Sequence, residues 1–63
     1  MYSVSKNGKY MGMCPGLPKE GDLLLNYTDG RYTMLFGLKL KAISLTIWEG
    51  TTSSGVKYLF GRV

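Results

Sequence analysis

A change of hydrophobic phase within residues 32–48 constrains the fold more than any other feature of this sequence. In residues 38–42 the apolar side chains occupy even positions, whereas in residues 43–47 they occupy odd positions. Because strand side chains alternate between two faces with a period of two, a strand crossing this point must bend, bulge or end. We therefore predict a corner of β-structure in residues 38–42, with the change of direction near Ala42 and Ile43.

A helix over residues 34–45 is the main alternative for this stretch. Four of its apolar residues have helical spacing: Leu35, Leu38, Ala42 and Leu45. Gly37 and the β-branched Ile43 lie inside that span, and the β-branched Thr46 and Ile47 follow it. These residue types disfavour a helix and favour strands, so we expect β-structure here.

The pattern of residues 2–13 is typical of a β-hairpin closed at Asn7-Gly8. A type I′ turn requires positive φ at both central positions, which Asn and Gly tolerate. This turn pairs, in order away from it, Lys6 with Lys9, Ser5 with Tyr10, Val4 with Met11, and Tyr2 with Met13. We expect one buried face, formed by Tyr2, Val4, Met11 and Met13, and an outer face that carries Tyr10.

Residues 23–36 predict a second hairpin, closed at Asp29-Gly30. A two-residue turn there pairs Thr28 with Arg31, Tyr27 with Tyr32, Leu25 with Met34, and Leu23 with Phe36. All of the apolar residues in these pairs fall on one face, which we expect to cover the core. Leu24 and Leu35 fall on the opposite face.

A third hairpin is predicted from residues 43–48 and 56–60, joined by a polar loop at residues 49–55. The expected pairs are Ile47 with Val56, Leu45 with Tyr58, and Ile43 with Phe60. Three hairpins without a helix indicate one all-β domain over residues 1–63. At this length we expect a small antiparallel, SH3-like, partly closed barrel or a curved sheet.

The small size of the chain favours self-association as a source of stability. Chains of 63 residues often need a disulfide, a metal or a partner subunit for stability. Cys14 is the only cysteine and there is no histidine, which excludes a disulfide within the chain and disfavours a zinc site. We therefore expect a homodimer that carries no metal and no other cofactor.

Catalysis is not expected from this composition. Without histidine, acid–base chemistry would fall to a lysine or to carboxylates in polar turns and loops, Glu20, Asp22, Asp29 and Glu49. The glycines are spread among turns and form no phosphate-binding fingerprint. No apolar run is long enough to span a bilayer, and the first ten residues lack a signal-peptide pattern. The expectation is a cytoplasmic protein that is not an enzyme.

Basic residues supply the main functional signal. Eight Lys and Arg against four Asp and Glu leave a net charge of +4, which favours an anionic partner. Exposed cations with aromatic rings are typical of single-stranded nucleic-acid binding, where rings stack on bases and cations follow the phosphates. We predict such binding, to DNA or RNA, by Lys6, Lys9, Tyr10, Arg31, Lys39, Lys41, Trp48 and Lys57. The same lysines also serve solubility and protect strand edges, and Trp48 is also suited to covering a barrel end.

Apolar residues outside the expected core support a different function. Leu24, Leu35 and Leu59 fall on strand faces opposite the one expected to be buried. Leftover apolar surface on a small sheet is typical of a protein–protein contact. The alternative is therefore a protein-interaction module, a small regulator or inhibitor of the viral or accessory type, which docks on a larger partner protein.

Overall fold

A computed structural model describes all residues 1–63 as seven β-strands without a helix. The strands are β1 (Tyr2–Lys6), β2 (Lys9–Cys14), β3 (Leu23–Asn26), β4 (Arg31–Met34), β5 (Lys39–Ala42), β6 (Ile47–Thr51) and β7 (Lys57–Arg62). Five of them form an antiparallel sheet in the order β2-β1-β7-β6-β5, and β3 pairs with β4 separately. The all-β prediction is confirmed. The sheets do not close into a barrel, and an SH3-like relationship stays a prediction.

The first hairpin forms at the predicted turn. Asn7 has φ 49° and Gly8 has φ 85°, as a type I′ turn requires. The pairs nearest the turn, Lys6 with Lys9 and Ser5 with Tyr10, are confirmed.

Beyond these two pairs the first hairpin contains a bulge that the sequence did not predict. Val4 faces Gly12 instead of Met11, and Tyr2 faces Cys14 instead of Met13. Gly12 has φ 136°, and a Cβ there would lie 2.6 Å from Cδ2 of Tyr27. The extra residue in β2 thus brings a glycine under the Tyr27 ring, where no side chain fits.

The second hairpin exists, but its predicted register is wrong by two residues. Leu23 faces Met34 and Leu25 faces Tyr32, because residues 27–30 form a four-residue loop. The amide of Gly30 donates to the carbonyl of Asn26 at 2.8 Å, and the amide of Arg31 donates to Oδ1 of Asp29 at 2.9 Å. These bonds favour the longer loop over a two-residue turn.

The predicted burial of the second hairpin is also reversed. Leu24 and Leu35 are buried, at 5% and 0% exposure, although the sequence pattern predicts them on the outer face. Most of the predicted core face is exposed instead: Leu23, Tyr27, Tyr32, Met34 and Phe36. Leu35 is held inward by two backbone bonds of 2.9 Å, from its amide to the carbonyl of Asp22 and from the amide of Gly21 to its own carbonyl.

The phase change near Ala42 marks a chain reversal between β5 and β6. The amides of Ile43 and Ser44 both donate to the carbonyl of Ile47, at 3.0 and 3.2 Å, and close a loop over residues 43–46. No helix forms over residues 34–45. The predicted corner at residues 38–42 is instead β5, an edge strand of the large sheet.

The predicted register of the third hairpin is wrong. Ile47 faces Gly61 instead of Val56, and Trp48 faces Phe60. The difference arises because residues 49–51, expected in the loop, belong to β6. Leu45, expected opposite Tyr58, lies in the reversal and is 94% exposed.

The core lies between the second hairpin and one face of the five-stranded sheet. It contains seven buried residues: Val4, Met11, Cys14, Leu24, Leu35, Tyr58 and Phe60. The rings of Tyr58 and Phe60 stack at a centroid distance of 6.2 Å. Because the second hairpin covers only this face, the opposite face of the large sheet is left to solvent, and we call it the open face.

Candidate nucleic-acid interface

The open face consists of the strand residues that alternate with the core residues. Along β7, Tyr58 and Phe60 are buried, whereas Leu59 between them and Lys57 before them are exposed. The register continues this alternation across all five strands and aligns one row: Tyr10, Ser5, Leu59, Glu49 and Lys41. A neighbouring row contains Lys57, Thr51 and Lys39. Four of the eight predicted contact residues therefore share this face: Tyr10, Lys39, Lys41 and Lys57.

The two edges of the open face differ in character. Tyr10 lies on the edge strand β2 and is 60% exposed, while Lys39 and Lys41 lie on the opposite edge strand β5. Four strand spacings of about 4.8 Å separate these edges by roughly 19 Å. Lys39 and Lys41 are two residues apart on one strand, so their Cα atoms lie about 6–7 Å apart. The face thus has an aromatic edge and a cationic edge.

One carboxylate interrupts the positive charge of the open face. Glu49 is the cross-strand partner of Lys41 and lies next to Leu59 in the same row. Opposite charges at cross-strand positions near the surface attract weakly, and salt screens the attraction. With Lys39, Lys41 and Lys57 against Glu49, the face retains a positive balance and is suited to an anionic ligand.

Trp48 does not lie on the open face. It pairs with Phe60 on the core side, is half-buried, and packs against the buried cluster. Its ring meets that of Tyr2 edge-on, with centroids 5.6 Å apart and planes at 80°. The expectation that Trp48 is an exposed ring is therefore wrong, and the open face keeps a single exposed aromatic ring, Tyr10.

The other predicted contact residues lie elsewhere. Lys6 and Lys9 are partners at the tip of the first hairpin, where Lys6 also pairs with the buried Tyr58 and so lies on the core side. Arg31 begins β4 in the second hairpin and is exposed. These three cations are not continuous with the lysines of the open face.

A small cavity beside Lys6 and Lys9 includes two residues that the sequence analysis did not assign to any site. Asn26 and Thr28 contribute to its wall, together with Tyr10 and Met11. Asn26 at the end of a strand, two residues before a threonine, is a known signal for a side-chain-capped turn. Their proximity to Lys6 and Lys9 arises only from the tertiary contact between the two hairpins.

Cys14 lines a second cavity, of about 420 Å³, together with residues 15–18 and 22–24. Burial raises the pKa of the Cys14 thiol, while the charge of the N-terminus and a hydrogen bond with the Gly16 backbone act in the opposite direction. A thiol with a raised pKa stays protonated at neutral pH and is a poor nucleophile. Cys14 thus serves as a small core residue.

Two further observations bear on the chemistry of the chain. No group of three or more histidine, cysteine, aspartate and glutamate side chains is arranged to hold a metal ion. The structure contains no helical segment with the length and apolarity that a bilayer crossing requires.

The comparisons with protein-family models, characterised proteins and solved structures find no match to this chain.

Proposed function

We propose that this chain is a non-enzymatic protein that binds single-stranded nucleic acid on the open face of its five-stranded sheet. The supporting observation is that Tyr10, Lys39, Lys41 and Lys57 share this solvent-facing surface. An exposed ring stacks on a base regardless of its identity, and lysines attract the phosphates on either side. Duplex DNA is a poorer fit, because its bases are not free to stack on Tyr10.

Salt-dependent binding tests this proposal. Fluorescence anisotropy with labelled single-stranded DNA, single-stranded RNA and duplex DNA would be measured at several salt concentrations. Three lysine–phosphate contacts correspond to a slope of log affinity against log salt of about −2, since each contact on a single strand contributes roughly −0.7. Absence of salt-sensitive binding to all three nucleic acids would overturn the proposal.

A matched pair of double variants locates the contact. Lys39→Gln with Lys41→Gln removes two charges from β5, whose side chains are all exposed, and should make the slope less steep by roughly 1.4. Glutamine is preferred to glutamate because residue 41 faces Glu49, and opposed like charges destabilise a sheet. Lys19→Gln with Arg62→Gln removes the same charge from exposed positions off the open face. If both double variants reduce the salt slope equally, net charge alone attracts the ligand.

A protein-interaction function is the second candidate, and a specific surface supports it. The two cross-strand pairs Leu23–Met34 and Leu25–Tyr32 give the second hairpin an outward surface made of apolar side chains, which we call the outer patch. Leu23, Tyr32 and Met34 are exposed there. Exposed contiguous apolar surface is typical of protein contacts, either in a homodimer or with a larger partner.

Sedimentation and partner capture separate this candidate from nucleic-acid binding. Tyr32→Lys with Met34→Lys should abolish self-association, or recovery of a partner from nuclease-treated lysate, and leave the buried Leu24 and Leu35 untouched. Ser44→Lys with Thr46→Lys adds the same charge in the exposed 43–46 loop and serves as the control. A wild-type chain that is monomeric and captures no protein would contradict this candidate.

A further inference from the structure

A second cationic site lies between the tips of the first two hairpins, and Tyr10 is the one residue that it shares with the open face. A cavity of about 170 Å³ is lined by six residues, none of them acidic: Lys6, Lys9, Tyr10, Met11, Asn26 and Thr28. Pockets for drug-sized ligands usually enclose about 300–1,000 Å³. This cavity is smaller, so it suits one compact chemical group and not an entire cofactor.

The two lysines concentrate positive charge in this cavity. Lys6 and Lys9 are direct cross-strand partners, an arrangement in which like charges repel. Lys6 is half-buried beside the buried Tyr58, and no carboxylate belongs to the cavity wall. An anion between the two ammonium groups would remove this repulsion and interact favourably with both.

Asn26 also lines this cavity, and its side-chain amide carries a neutral donor group. Its Oδ1 accepts hydrogen bonds from the amide of Thr28 at 2.9 Å and from the hydroxyl of Thr28 at 2.7 Å. The backbone amide of Thr28 can only donate, so its contact fixes which end of the side-chain amide is the oxygen. Nδ2 therefore remains a donor, and it has no acceptor within the protein. Two cations and an amide donor form a recognition set for an oxyanion.

We propose that this cavity binds a phosphate monoester, carried either on a free nucleotide or at the 5′ end of a nucleic-acid strand. A phosphate monoester has a charge of about −1.5 to −2 at neutral pH and three acceptor oxygens, which matches Lys6, Lys9 and Asn26 in charge and in donors. The site goes beyond the open-face function. It lies on the core side of the sheet, and its occupancy does not require Lys39, Lys41 or Lys57.

An NMR titration of the isotope-labelled protein tests the site directly. Inorganic phosphate should cause saturable amide shifts centred on Lys6, Lys9, Asn26 and Thr28, and chloride at equal ionic strength should not. Shifts that are spread over all lysines, or that chloride reproduces, would overturn the proposal. The double variant Lys39→Gln with Lys41→Gln should retain these shifts, so failure of the open-face proposal and failure of this one are distinguishable.

A nearly isosteric variant identifies the donor. Asn26→Asp keeps an oxygen to accept both bonds from Thr28 but replaces the Nδ2 donor with a negative oxygen. It should bind phosphate at least tenfold more weakly. Ser44→Asp makes the same charge change in the exposed 43–46 loop and keeps an acceptor for the amide of Thr46, so it should bind normally. Equal affinity in Asn26→Asp and in the wild type would overturn the proposal.

The source of the phosphate follows from a three-ligand comparison. A nucleoside 5′-monophosphate, a 5′-phosphorylated oligonucleotide and the same oligonucleotide with a 5′-hydroxyl would be titrated in parallel. If the mononucleotide shifts the amide signals of the cavity residues as strongly as the phosphorylated strand does, the ligand is a free nucleotide. If the phosphorylated strand binds much more tightly than the mononucleotide, the ligand is the 5′ end of a nucleic-acid strand. Pocket binding by the 5′-hydroxyl strand as tight as by the phosphorylated one would overturn the monoester assignment.

Discussion

The first two hairpins of this protein begin from similar turn sequences and end with different geometries. Asn7-Gly8 forms a two-residue turn in which both residues have positive φ. Asp29 does not adopt positive φ, and its Oδ1 instead accepts a hydrogen bond from the amide of Arg31 in a four-residue loop. A turn dipeptide therefore sets the register only where nearby side chains do not offer the backbone a competing set of hydrogen bonds.

The two hairpins also differ in how well their sequences specify a buried face. In β1, Val4 is buried and its neighbours Ser3 and Ser5 are polar, so only one orientation buries apolar surface. In β3 three leucines follow one another, so either face of the second hairpin can cover the core. The backbone bonds at Leu35 select the orientation and leave the outer patch exposed.

The largest expected effect tests that orientation. Leu35→Ala should destabilise the protein by about 2–5 kcal/mol, because Leu35 is fully buried and its truncation leaves a cavity. Phe36→Ala, at a position 63% exposed, should change stability by less than about 0.5 kcal/mol. Urea denaturation measures both. The opposite ranking would mean that the hairpin buries the face that the sequence pattern suggested.

A smaller effect is expected where the two hairpins touch at Gly12. Gly12→Ala should cost about 1–3 kcal/mol, since φ 136° is unfavourable for alanine and its Cβ would meet the Tyr27 ring. Combining it with Tyr27→Ala should recover the part due to the clash but not the backbone strain. Gly16→Ala is the control, because its Cβ would have no atom within 4 Å. A Gly12→Ala protein as stable as the control would disprove the bulge.

The difference between the two turns predicts a third ranking. Asn7→Ala should cost about 1–2 kcal/mol, the usual penalty for a side chain with a Cβ in the left-handed region, and Asn7→Gly should cost less. Asp29→Ala loses only one exposed hydrogen bond. Its cost in stability should lie at the lower end of the usual range of about 0.5–1.5 kcal/mol for one bond. Thermal denaturation of the three variants checks this order. A larger loss at Asp29 than at Asn7 would contradict it.

The smallest expected effect is a pH dependence of folding stability. It arises at the contact between the two hairpins, where Cys14 packs in the same cluster as Leu24. Burial raises the pKa of the folded-state thiol above its usual value of 9.0. The stabilisation is therefore fully present below the pKa of the unfolded state and is lost as pH rises through the folded-state pKa. Burial also raises the pKa of Tyr58 above its usual value of 10.0. The phenol therefore also contributes stability that is lost as pH rises, but at a higher pH than the thiol.

Denaturation midpoints measured from neutral pH to above pH 10 would show this decline. Cys14→Ala removes the thiol contribution, so its stability should fall less steeply near pH 9.0 even if it is lower overall. Identical slopes in the variant and the wild type would place the thiol in solvent. Tyr58→Phe would then reveal whether the remaining decline belongs to the phenol.

The candidate site was predictable in part, for reasons that differ by residue. The outward positions of Tyr10, Lys39 and Lys41 were predictable because alternation within a single strand is a local property. Trp48 was misplaced because its face depends on the register of β6 against β7, which residues 49–51 shift by extending the strand. Asn26 and Thr28 were missed because their cavity exists only where one hairpin tip rests against another.

Local patterns in the sequence determined the strand-rich fold, the Asn7-Gly8 turn and the reversal that follows the phase change at Ala42. Each of these depends on the preferences of a few adjacent residues for φ and ψ or for one face of a strand. The tertiary structure alone decided the pairing of β1 with β7, the bulge at Gly12 and the orientation of the second hairpin. Those choices depend on contacts between residues far apart in the chain, whose relative burial energies no local pattern encodes.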